Sequence, residues 1–366
     1  MAEPNGAVAP ADNGISADEI ALYDRQIRLW GMKAQEKIRN ARILLVTIRA
    51  LGAEVAKNLV LAGIHSLTII DPGTVTESDF PSFLLSPEHI GQNRAAASTP
   101  ALTQLNPRVR IIPSPLDIRT TPLTPSYLST FDIIIATSLD TTSTLLTTLN
   151  TATRAASRPF YAASSHGLYG FLFSDLISHT FIISRALANR GTAPGPESTT
   201  RSILSAVPSP DDPATELVTK RELYSPWPAP LSAPLPADIV SHPRRRKAVT
   251  PILSCFTALW AFAAQYDRAP NSGSREDLVA FTELASEAHK KRGLPSETLR
   301  SEVLRSFLQG IGSEVVAITA GLGAMLAQDV IVVLGQNQQP VQNLVVMDGE
   351  EIVAPVFAMH GALGAA

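Results

Sequence analysis

This 366-residue chain holds a single cysteine, Cys255, and that scarcity removes several chemistries at once. Neither an intrachain disulfide nor a four-cysteine zinc site can be built from it, and a reducing compartment is the default setting. The thiol lies in Ile252-Leu253-Ser254-Cys255-Phe256-Thr257-Ala258-Leu259-Trp260, an apolar helical run that suits a buried structural residue rather than a thiolate nucleophile. A dominant charge is lacking too. A formal net charge of −3 gives no general reason to expect nucleic acid or an anionic membrane as partner. No run reaches the roughly 18 consecutive apolar residues of a membrane span. Met1 to Gly14 shows no apolar stretch behind a basic start, so no secretory signal is expected. His65, His89, His166, His179, His242, His289 and His360 have no His-x₃-His spacing, and no Gly-x-Ser-x-Gly elbow occurs; no metal site is expected.

Hydrophobic residues are plentiful, at 45%, which is ample for a sizeable core. Ser16-Ala17-Asp18-Glu19 has the form of a capping box and predicts a helix start. Ile20, Tyr23, Ile27 and Trp30 then recur at helical spacing and predict one buried apolar face, with Arg25 and Arg28 directed elsewhere. By themselves two such arginines are ordinarily a solvated face with a carboxylate partner such as Asp24, and a sharper reading needs context from the rest of the chain.

Downstream, Ala41 to Ile48 reads as a buried parallel strand, Arg49-Ala50-Leu51-Gly52 as a turn, and Ala53 to Ala62 as a helix that Gly63 caps. Leu67 to Ile70 is a second strand, ending in Asp71. Strand, turn, helix, strand and terminal acid outline a nucleotide-binding βαβ unit. Helices at Ala95–Leu105 and Thr142–Ala156 alternate with strands at Val109–Ile112, Phe131–Thr137 and Pro159–Ala163. This alternation predicts an α/β fold with a doubly wound, mostly parallel sheet. Tyr169–Ser174 and Thr180–Ser184 read as an appended antiparallel hairpin.

Eleven of the 28 prolines fall between Pro194 and Pro243, which predicts a largely disordered insertion with one ordered piece at Thr215–Tyr224. The stretch closes on Pro243-Arg244-Arg245-Arg246-Lys247, either a solvated charge run or a nuclear import signal. Helices follow at Ile252–Gln265, Ser274–Lys291, Ser296–Gln309 and Glu314–Leu334, the last studded with small residues, and then a strand at Leu344–Met347. The expected division is a tail (1–15), the first part of the α/β domain (16–189), the insertion (190–248), a helical segment (249–312) and the return to the domain (313–366).

Tyr23-Asp24-Arg25-Gln26-Ile27-Arg28-Leu29-Trp30-Gly31 resembles the Arg-Gln signature of the ubiquitin-like protein activating enzymes and their bacterial adenylyltransferase relatives. Ala317 to Val330, Gly170 to Leu176, and Pro340-Val341-Gln342-Asn343 with Asp348-Gly349 are similar to further motifs of that family. The resemblance spans nearly the whole chain outside the tail and the insertion. It implies a Rossmann-like adenylation fold in which Arg25 reaches, in trans, the Mg-ATP held by another subunit. The family's Gly-x-Gly-Gly-x-Gly turn is replaced by Thr47-Ile48-Arg49-Ala50-Leu51-Gly52, where side chains obstruct the approach to phosphates. Asp71 matches a ribose-binding acid, but the second acid is Gly73. Asn-Leu-x-Arg-Gln is reduced to Asp79-Phe80-Pro81-Ser82, Arg94 replaces a lysine, and the Mg²⁺-binding aspartate falls near Leu139, with Asp140 one residue off.

The resemblance therefore implies a degenerate site at Arg49, Ala50, Gly52, Asp71 and Arg94, with no cofactor bound by this chain. The chain's size is similar to that of small subunits serving the SUMO modifier, rather than the longer ones of neddylation. Implied partners are a large SUMO-activating subunit, SUMO and a downstream conjugating enzyme, in the nucleus and cytoplasm. A self-sufficient homodimeric adenylyltransferase, a nicotinamide dehydrogenase and a binding scaffold are the competing classes. The first two need the glycine turn that is missing, and the last leaves Arg25 without a role.

Overall fold

A computed structural model describes residues 16–138, 143–187 and 191–361, the side chain of Ser143 excepted. The chain opens with α1 (Ala17–Leu22), α2 (Asp24–Trp30) and α3 (Met32–Asn40). Then come β1 (Arg42–Val46), α4 (Ala50–Ala62), β2 (Ser66–Ile70), α5 (Arg94–Leu105), β3 (Arg110–Ser114), α6 (Pro125–Leu128), β4 (Ile133–Thr137) and α7 (Ser143–Ala155). β5 (Phe160–His166) and β6 (Tyr169–Asp175) follow. β1 to β5 lie parallel in the order 3-2-1-4-5, and β6, β11 (Leu344–Asp348) and β12 (Val356–Phe357) extend the sheet antiparallel to eight strands. The expected doubly wound sheet is present. Every residue of β2, β4, β5 and β6 is buried, as strands covered on both faces must be.

Three expectations need correction. The opening segment is three helices rather than one, and of the four residues expected to form its apolar face only Tyr23 is buried, held by Asn106 Nδ2 donating to its hydroxyl at 2.8 Å; Ile27 and Trp30 are half-buried and Ile20 is exposed. The capping box itself is present at Ser16 and Glu19. Second, Tyr169–Ser174 does not pair with Thr180–Ser184. β6 pairs with β5 and β11, and after a turn at Ile177, which has φ 61°, β7 (Ser178–Ala186) starts another sheet.

Third, the proline-rich stretch is ordered where it is described. β8 (Gly195–Pro196), β9 (Arg201–Pro208) and β10 (Thr215–Leu223) join β7 in a four-stranded antiparallel sheet of order 7-10-9-8. Prolines stand at the strand ends and connections, where few ladder donors are lost. β10 alternates, but its buried face is charged: Glu216, Lys220 and Glu222 accompany Val218. Each has a partner, Arg185 at 2.9 Å, Glu197 at 2.6 Å, and Arg201 for Glu222.

α8 (Ala229–Ser232), α9 (Ala237–Val240) and α10 (Pro243–Lys247) are single turns. α11 (Ile252–Tyr266), α12 (Arg275–Lys291) and α13 (Ser301–Gly310) cover one face of the main sheet, where Phe256 meets the rings of Phe171, Trp260 and Phe307. The last expected amphipathic helix is split, a single 3₁₀ turn at Ser296–Thr298 preceding α13.

On the other face α14 (Val316–Gly335) packs on α4. Length and composition alone would let this helix cross a membrane, but it lies within the core. Its small residues serve contact: a Cβ on Gly323 would meet the Glu54 Cβ at 2.6 Å.

Asp329 of α14 is buried and accepts hydrogen bonds from Tyr161 Oη and the Val341 amide, both at 2.7 Å. Burial raises its pKa to about 6, with the two hydrogen bonds opposing that rise. Between the ordinary carboxylate pKa and about 6 the folded protein keeps a proton that the unfolded chain releases, so this group's contribution to stability falls as pH rises through that window. Asp329→Asn removes the effect. In urea titrations the variant should gain on the order of 3 kcal/mol relative to the parent between pH 4 and 7. A constant difference would show that Asp329 titrates normally.

Candidate functional site: a nucleotide turn closed by its own side chains

A cavity of about 250 Å³ lies at the carboxyl ends of β1, β2 and β4, where a doubly wound sheet binds ligands. This is below the roughly 300–1,000 Å³ of ordinary small-molecule sites. Thr47 follows β1 with φ 70°, a glycine-like conformation that costs a β-branched residue roughly 1–2 kcal/mol. The chain thus takes a glycine-like conformation at the position where the motif's first glycine would stand. Gly52 has a packing role: a Cβ there would meet the Thr47 carbonyl at 2.6 Å and the Thr137 hydroxyl at 2.8 Å.

The amides that begin α4 are already occupied. Ala50 N and Leu51 N donate to the Glu314 carboxylate at 2.9 and 3.2 Å, and Ser138 Oγ donates to it at 2.9 Å. A helix amino terminus attracts anions through its free N–H groups and its dipole, and here the anion belongs to the chain itself. The Glu314 side chain is 2% exposed. It is brought there by the close approach of Gly167 to Gly310, where a Cβ on Gly167 would meet the Gly310 Cα at 2.9 Å. The Gly312 amide donates to His166 Nδ1 at 3.1 Å, and burial lowers the pKa of His166 to about 4, so its ring is neutral and can accept.

Arg49 and Arg94 finish the closure. Arg49 Nε lies 3.6 Å from both Asp79 and Glu314. Arg94 Nη1 bonds both Asp71 oxygens at 3.0 and 2.9 Å, and its Nε lies 3.1 Å from Asp79. Burial works against the Arg94 charge, but Asp71 and Asp79 hold its pKa above the ordinary value. Gly73 makes this possible, since a Cβ there would sit 2.6 Å from Arg94 Nη1. Asp71 also accepts from the Ile48 and Gly73 amides at 2.9 and 2.8 Å. Two guanidinium groups thus face three carboxylates, a balance that repels a polyphosphate, and Mg-ATP does not fit here unless Glu314 leaves.

The structure places Arg49, Asp71 and Arg94 along this cavity, with Ala50 and Gly52 in the helix that starts beside it. Sequence reasoning missed Glu314, whose only local cue is a lone acid ahead of an apolar helix. Leu139 and Asp140 lie outside the described residues. Among the described residues no group of three or more His, Cys, Asp or Glu side chains is poised to hold a metal ion. Cys255 is fully buried in α11, and burial pushes its thiol well above the ordinary range, which leaves no thiolate for catalysis.

The ThiF family model matches residues 23–360. The chain belongs to the ThiF family. Among its ThiF-family relatives, the DNA damage tolerance protein RHC31 of Saccharomyces cerevisiae is 32% identical over 94% of this chain and 97% of its own. SUMO-activating enzyme subunit 1 of Homo sapiens is 31% identical over 93% and 94%. DNA damage tolerance protein rad31 of Schizosaccharomyces pombe is 30% identical over 95% and 99%.

Arg25 lies far from this closure in kind. It is exposed on α2 and makes no ion pair or hydrogen bond with any described residue, whereas Arg28 pairs with Asp24 at 2.9 Å. Leu29, 76% exposed, is on the same helix, and Gln26 Nε2 donates to the carbonyl of exposed Leu61 at 3.2 Å.

Glu314→Ala should lower stability by about 3 kcal/mol, because it strands two amides and leaves Arg49 short of a counter-charge. Chemical denaturation gives the value, and a loss under about 1 kcal/mol would mean that water replaces the carboxylate without cost.

Proposed function

We propose that this chain is the non-thioester subunit of a heterodimeric SUMO-activating enzyme. Mg-ATP is held by the large subunit, and Arg25 is delivered to it in trans. In the reaction the modifier's terminal carboxylate attacks the α-phosphate, giving an acyl adenylate and pyrophosphate. A cysteine of the large subunit then displaces AMP to form the thioester, from which a conjugating enzyme is charged. Arginine suits the trans role because its fork stays charged and can grip two phosphate oxygens.

The observation that carries this reading is the contrast between a closed turn and an open arginine. Glu314, Arg49 and Arg94 fill this chain's own nucleotide position, while Arg25 projects unpaired from a helix flanked by exposed Leu29 and Leu61. The human relative's name points to the SUMO modifier. A self-sufficient adenylyltransferase would need the turn that this chain has closed.

ATP–pyrophosphate exchange, measured with SUMO for the chain alone and then with a large subunit, tests this directly. Exchange is expected only from the pair, and Arg25→Ala should reduce it without impairing assembly, by up to roughly 10³–10⁵-fold. Exchange by the lone chain, or full exchange by the Arg25→Ala pair, would sink the proposal.

We further place the protein in the nucleus, with a cytoplasmic pool. Arg244, Arg245 and Lys247 of α10 are exposed and available to import machinery, although Arg245 pairs with Asp238 at 2.9 Å. Neutralising the three should shift a fluorescent fusion toward the cytoplasm; an unchanged distribution would remove that role from the cluster.

A further inference from the structure

Arg292 presents a problem that the adenylation reading leaves untouched. It caps the carboxyl end of α12 and is 8% exposed, the one arginine among the buried charged residues of the described chain. Arg94, Arg154 and Arg201 are more exposed, and each rests on a buried carboxylate: Asp71, Asp175 or Glu222. Arg292 has none within ion-pair distance among the described residues.

Its partners are neutral oxygens. Nη1 donates to the Ala288 carbonyl at 3.4 Å, and Nη2 to the Leu231 carbonyl at 2.9 Å and the Thr257 hydroxyl at 3.0 Å. Three of five N–H donors are therefore engaged. Nε is buried and has no hydrogen-bond partner among the described residues. Burial without a counter-charge lowers the guanidinium pKa to about 10, so the group remains a cation at neutral pH.

This cation lines a cavity of about 380 Å³ between α8, α11 and α12, a volume within the range of small-molecule sites. Leu231, Ala261 and Leu284 supply apolar wall, and Glu287, exposed at the same cavity, makes no ion pair with Arg292. Lys291 also lines the cavity but is exposed, so Arg292 is the buried cation there, and a buried cation beside apolar wall is complementary to a single anion attached to a hydrocarbon body.

We propose that this cavity binds a small carboxylic acid, its carboxylate on Arg292 and its apolar chain against Leu231, Ala261 and Leu284. The site is separate from the closed nucleotide turn and requires neither the large subunit nor ATP.

Sodium octanoate, titrated calorimetrically into the full-length chain, is the probe. Binding is expected with a Kd on the order of 0.1–1 mM, the range for a ligand of about ten heavy atoms. 1-Octanol and octylamine, which lack the anion, should bind at least about tenfold more weakly. Ala261→Phe fills the cavity from α11 without touching the hydrogen bonds of Arg292, and it should abolish octanoate binding while leaving the melting temperature near that of the parent. Arg292→Gln should weaken binding about tenfold or more. The proposal is overturned by any of three results: no octanoate binding up to about 10 mM, equal affinity for octanol, or unchanged binding in the Ala261→Phe protein.

Discussion

The carboxylate of Glu314 on the first amides of α4 is the contact on which the rest of the closed turn depends. Those amides face the carboxyl end of the sheet and need an anion. Once Glu314 provides it, Arg49 gains a counter-charge, Asp79 becomes a shared counter-charge for Arg49 and Arg94, and Asp71 is left to Arg94 and two backbone amides. Removing Arg94 would leave the buried Asp71 without its guanidinium partner, and removing Glu314 would leave two amides without an acceptor, so the members of the cluster support one another. Its support reaches further still, through Gly312 to the neutral His166 on β5 and through the glycine contact that lets the strand end and the α13 end meet.

A turn that carries its anion within its own chain does not need a nucleotide to satisfy its amides. In the proposed heterodimer the two halves would then differ in kind. One half would respond to ligand, and the other would present a constant interface and Arg25.

Local features of the fold could be read from residue order. Short apolar runs gave away β1, β2 and β4, and Gly63 was identifiable as a helix cap because the chain there needs a left-handed residue, with φ 81°. Asp71 and Arg94 were legible as altered members of a motif, yet nothing in their types says that they touch. Glu314 could not be paired with Ala50, 264 positions away, because its role comes from tertiary approach and not from any spacing. β10 was only partly legible for a different reason. Hydrophobic periodicity marks a buried face, and the buried face of β10 carries Glu216, Lys220 and Glu222, whose charges are matched by Arg185 of β7, Arg201 of β9 and Glu197 just after β8. The opening helices misled because Ile20 keeps helical spacing yet faces outward.

The prolines that concealed the second sheet have another effect on it. One outer strand, β8, is only two residues long and includes Pro196, which has no amide hydrogen to offer a neighbour. At the opposite margin, β7 gives the Ile182 amide to the Gln336 carbonyl just beyond α14. Both borders are thereby blunted against adding a foreign strand, so a sheet held by internal ion pairs avoids becoming a template for aggregation.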